Sequence, residues 1–212
     1  MWPNYTLTLS SPVPPGVGVF SVANSAQQYE GSLEVTDRVF RANRARGVLL
    51  KQSNVLCARN LFNSMTASAV ITNIDACYWM EGQPVSNWSF VDNVVHEVNV
   101  WGGLADVAID NSVPVFAKGV PTTQCVPYAL VTPGVAVQRG LNISGNSFSQ
   151  VSGMSAVGVY STDGLERGCY YAQGGHTTRR PRPAVDLDGF GVVNAAGNVC
   201  DGQACAAEGM GA

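Results

Sequence analysis

Between Val98 and Thr162 apolar side chains fall two residues apart, and turn formers interrupt them at short intervals. Val98 and Val100, Val107 and Ile109, Val113 and Val115, Val126 and Tyr128, Val135 and Val137, and Val157 and Val159 make the pairs. Gly102-Gly103, Asp110-Asn111, Pro133-Gly134, Gly140 and Gly145-Asn146 lie between them. A side chain that alternates faces every residue belongs to a strand, and turn residues every 8–12 positions or so give short strands joined by tight connections. The pattern predicts an all-β fold, an antiparallel β-sandwich or small β-barrel.

Charge then limits the surroundings of such a domain. Only 13% of the 212 residues are charged, against roughly 25% in ordinary soluble domains. A surface so poor in charge is expected to be covered in part by neighbouring proteins. The net charge of −3 excludes a general nucleic-acid binder, which needs a concentrated basic face. No run reaches the ~18 apolar residues of a membrane span. The first fifteen residues lack the basic and apolar regions of a secretory signal, and an initiating Met1 makes cytoplasmic synthesis the expectation.

Along the chain, three units are expected. Residues 1–16 form an N-terminal arm, because Pro12, Pro14 and Pro15 lack the donor a central strand needs. Residues 17–172 form the β-rich core domain. Within it Val55, Ala58, Phe62, Met65 and Ala69 recur at steps of three and four, with Ser53 or Asn54 as a cap. That spacing predicts one short helix over residues 54–69. Residues 173–212 form an extended C-terminal arm, in which Arg179, Arg180, Pro181, Arg182 and Pro183 offer little to bury. The arginines of residues 38–46 are expected on the wet side of a strand or loop, balanced by Glu30, Glu34 and Asp37.

The chemistry-bearing residues are scattered. Six cysteines form no C-x-x-C pair, and His96 and His176 stand alone, so spacing gives no zinc site. Cys57, Cys77 and Cys125 are expected as buried thiols, and Cys200 and Cys205 as the pair to oxidise. Asp186-x-Asp188-Gly189 begins like a calcium loop but has Gly197 where the bidentate Glu belongs. No G-x-S-x-G is present, and His96 alternates with its neighbours as a strand residue. No catalytic residue, cofactor site or metal site is therefore assigned. Trp79, Trp88 and Trp101 are candidate interface aromatics, able to anchor a protein partner or to stack on sugar.

The segments Val113-Pro114-Val115-Phe116-Ala117-Lys118-Gly119 and Pro133-Gly134-Val135-Ala136-Val137 resemble the small-barrel phrases of tailed-bacteriophage capsid decoration (cement) proteins. The resemblance covers residues 105–163, and the helix and the C-terminal strap lie outside it. It implies a non-catalytic virion protein on the outer capsid surface, commonly a trimer, bridging copies of itself and of the major capsid protein. Extended arms suit that purpose, because they add main-chain hydrogen bonds to a neighbour. The alternative is a β-sandwich adhesin or fibre domain that binds glycans through its tryptophans; a third is a hydrolase with a dispersed site.

Overall fold

The computed structural model describes residues 6, 8–13, 15, 31–73, 83–100, 106–110, 113–115, 126–129, 138–150, 156–160, 192–194 and 196–204. The strands follow one another around three sheets. The first sheet takes β1 (Leu33–Thr36), β4 (Val55–Ala58), β7 (Ser86–Val91), β12 (Arg139–Ser144) and β15 (Val192–Asn194). The second takes β2 (Val39–Asn43), β5 (Leu61–Met65), β8 (Val94–His96), β13 (Ser147–Ser149) and β16 (Val199–Cys200). The third takes β3 (Val48–Leu49), β6 (Val70–Thr72), β9 (Val107–Asp110) and β14 (Val157–Tyr160). Each sheet pairs in parallel from coil to coil. This is a parallel β-helix, in which every coil rests on the one before it.

Two antiparallel strand pairs depart from the coils. β10 (Val113–Val115) and β11 (Val126–Ala129) pair antiparallel. β17 (Gln203–Ala204) turns back on β16 through Asp201 and Gly202, both at positive φ. An Asp-Gly pair is the usual solution for a two-residue hairpin turn, since both positions need left-handed backbone.

The antiparallel sandwich or barrel expected from the alternation is thus not what forms. Period two identifies strands but carries no information on the direction of their partners. No helix is present among the described residues. The stretch expected as a helix, 54–69, is β4, a bend at Arg59-Asn60, and β5. Its helical spacing has a physical origin. Inward side chains alternate within a strand, but a left-handed residue adds one position to the count. Val55 and Cys57 face inward, then Asn60 after Arg59, then Phe62, then Met65 after Ser64, all of them buried. Val55, Phe62 and Met65 on this path stand seven and three positions apart, spacings that the face of a helix also gives.

Those left-handed residues stack in columns. Asp37, Arg59, Asp92, Gly145 and Gly197 turn the chain from the first sheet to the second, Ala42, Ser64, Glu97 and Gln150 bend the end of the second, and Asn54, Asn87 and Gly140 enter the first. A non-glycine residue pays ~1–2 kcal/mol for this conformation, so the columns need compensation from packing and hydrogen bonding. The core provides the packing: Phe40 stacks on Phe62 at 4.9 Å between ring centres, and Phe62 and Trp88 both pack on Phe90. Cys57, buried beside them, is the free cysteine of the described residues, and Cys200 is disulfide-bonded.

The arms divide in the same way. Pro12 and Pro15 are exposed and belong to no strand. Pro14 and residues 179–183 lie outside the described residues, as do Cys77, Cys125, Cys205, His176 and the Asp186–Gly189 motif. Within the stretch expected as the C-terminal arm, β15 and β16 form a fifth coil on the stack.

Candidate functional site

At four of the five turns from the first sheet to the second, the residue after the left-handed one points inward. It is Asn60, Asn93, Asn146 and Asn198, all buried. The Oδ1 of Asn93 accepts both the backbone N–H and the side-chain amide of Asn60, at 2.9 and 3.0 Å. Asn146 does the same for Asn93, and Asn198 for Asn146. Each Nδ2 also donates to a backbone carbonyl one coil back: Val35, Cys57, Phe90 and Ile143 in turn. At the first coil the position is Arg38, whose backbone N–H donates to Asn60. Buried amides would otherwise cost free energy, so this ladder ties the coils together and fixes the rod.

With the ladder holding the interior, the second sheet presents a flat outer face. Val39, Leu61, Val94, Ser147 and Val199 lie in one register column on it. Val39 is 63% and Val94 45% exposed. Two residues further along each strand is a polar column of Arg41, Asn63, His96 and Ser149. His96 Nδ1 lies 2.8 Å from Ser149 Oγ. Parallel strands set neighbouring members of each column ~4.8 Å apart.

A groove of about 370 Å³ follows the corner beside the apolar column. Val39, Leu61 and Val94 line it together with Arg59, Asp37 and Asp92. Arg59 donates to Asp37 through Nε at 2.9 Å and through a terminal nitrogen at 2.7 Å. The guanidinium hydrogen bond holds the Asp37 carboxyl below its usual range, and the carboxylate raises Arg59 in return. Both side chains are exposed, so the pair orients the groove wall and adds little stability.

His96 is the strand residue the alternation predicts, and its serine partner, 53 positions away, is visible only in the fold. Arg38, Arg41 and Arg44 are exposed, although Asp37 pairs with Arg59 and not with them. Trp88 is fully buried beneath the first sheet and has no face for a partner. Trp79 and Trp101 lie outside the described residues. Among the described residues no cluster of three or more His, Cys, Asp or Glu could hold a metal ion, and no helix is long and apolar enough to cross a membrane. Comparison with family models, curated proteins and solved structures gave no match.

Proposed function

We propose that this chain is a non-catalytic structural module, a β-helical rod that holds neighbouring protein subunits on a virion surface. The observation that carries this reading is the outward aliphatic column of Val39, Leu61 and Val94, in register on one sheet, with Val39 and Val94 exposed and Leu61 half-buried between them. Exposed apolar area arranged in a line on a flat face is what a protein neighbour covers. The low charge content supports the same partner, because it spares the interface unpaired charges. The partners are copies of the chain, in a trimer, and the major capsid protein. Native mass measurement on the intact chain tests this. Oligomers at micromolar concentration that dissociate in the Val39→Lys/Val94→Lys variant are the expected result; a wild-type monomer at every concentration and on every shell tried sinks it.

The polar column favours a second reading, a glycan-binding fibre or adhesin. Asn63, His96 and Ser149 offer donors and acceptors at each coil beside the aliphatic column, so a linear glycan could bond its hydroxyls to one and rest its C–H faces on the other. Binding to an immobilised glycan array that disappears in Asn63→Ala/His96→Ala, from a chain that stays monomeric, selects it over the first.

A further inference from the structure

One buried carboxyl plays no part in the surface just described. Asp106 stands immediately before β9, and its backbone carbonyl accepts the N–H of Ala69 from the coil before at 2.8 Å. Val107 next to it donates to Ala156 of the coil after, at 2.9 Å. The residue thus sits at a junction of three coils. Its side chain is 0% exposed, and among the described residues neither carboxyl oxygen has a hydrogen-bond partner. An ionised carboxylate held this way would lose its hydration with nothing in exchange.

Its charged surroundings make ionisation harder still. The coil-two segment packed on it, residues 66–72, and Ala156 and Val157 of coil four include no ionisable residue. Among the described residues the charged group that acts on it is the Asp201 carboxylate, which is itself held by the Gln150 N–H at 2.9 Å. We propose that Asp106 is a pH-sensitive latch between coils, closed while its carboxyl is neutral and opened when alkaline solution ionises it. Burial first, and Asp201 second, push the Asp106 carboxyl up to about 8.

The direction of the effect follows from proton binding. In the unfolded chain Asp106 ionises near ~3.9, whereas the folded chain keeps its proton to about 8. Between these values the native state binds more protons, so stability falls as pH rises and levels off above about 8. This is the reverse of the usual carboxylate, whose stabilisation is lost in acid.

The test compares the intact wild-type chain with Asp106→Asn, which keeps the shape and removes the titration. Hydrogen exchange in β9 and β14, corrected for the intrinsic rate, is measured at pH 6 and pH 9. Wild-type protection is expected to fall on the order of tenfold or more, equivalent to one unit of pKa difference, while Asp106→Asn holds its protection. Equal loss in both chains overturns the proposal. Should the variant fail to fold, carboxyl-carbon NMR of the wild type still tests it: a neutral aspartate at pH 6 supports the latch, and all aspartates ionised overturns it. Stability at pH 9 that a chelator abolishes also overturns it, because Asp106 would then be ionised against a cation.

Discussion

The backbone N–H and the side-chain amide of Asn93 both donate to the one Oδ1 of Asn146, at 2.9 and 3.0 Å, although 53 positions separate the two residues. One oxygen therefore anchors a whole coil to the next. The same residue pair repeats above and below at separations of 33 and 52. Stability in such a stack is a sum of coil-to-coil terms, so the ladder is the first place to test it.

Asn93→Ala removes an acceptor from Asn60 and a donor from the Cys57 carbonyl, all buried. Each orphaned group costs roughly 1–3 kcal/mol, so the variant is expected to lose about 3 kcal/mol or more. Urea unfolding followed by circular dichroism measures this. A loss under about 1 kcal/mol would show that water replaces the ladder.

Gly47 approaches the next coil so closely that no side chain fits. A Cβ there would press on the Ala69 carbonyl oxygen and come within 2.9 Å of Met65 Sδ. The carbonyl is pinned by the Val48 N–H at 2.9 Å and has no room to retreat. Overpacking of this kind costs about 1–3 kcal/mol, read as a lower melting temperature for Gly47→Ala. An unchanged melting temperature would contradict the close approach.

Burial pushes the Cys57 thiol up to about 12, against a small opposing effect from the Asn60 amide. Thiolate is the reactive form, so the native chain should resist iodoacetamide at pH 8 at this position. Labelling should begin only when denaturant opens the coils, with mass spectrometry locating the adduct. Rapid modification of the native protein at Cys57 would place the residue at the surface.

Ala42 holds a φ of 55° at an exposed position. Glycine takes that conformation without a Cβ penalty but loses more entropy on folding. The two effects leave Ala42→Gly neutral to about 1 kcal/mol more stable, against a clear loss for glycine inside an ordinary strand. Thermal unfolding separates these, and a marked destabilisation would argue against the left-handed column.

The strands themselves were legible. Val107 with Ile109, and Val157 with Val159, alternate as they must on any sheet, and both pairs lie in strands. The asparagine signal was present too, in Arg59-Asn60, Asp92-Asn93, Gly145-Asn146 and Gly197-Asn198, each followed by a strand. It escapes notice because the spacings between successive members, 33, 53 and 52, are unequal. Long connections between coils conceal a repeat that constant spacing would reveal. The outer face of the second sheet was hidden for the same reason, since Asn63, His96 and Ser149 share no local motif.

Sequence by itself determined which residues could lie in strands, where glycine and asparagine allow the chain to bend, and how little charge the surface carries. Only the tertiary structure decided that strands 20 to 50 or so positions apart lie parallel in one stack. Alternation is a local property of the backbone and reads the same in any sheet. The choice of partner is made by groups that must be buried together, and Asn60, Asn93, Asn146 and Asn198 satisfy one another only when the coils are closed.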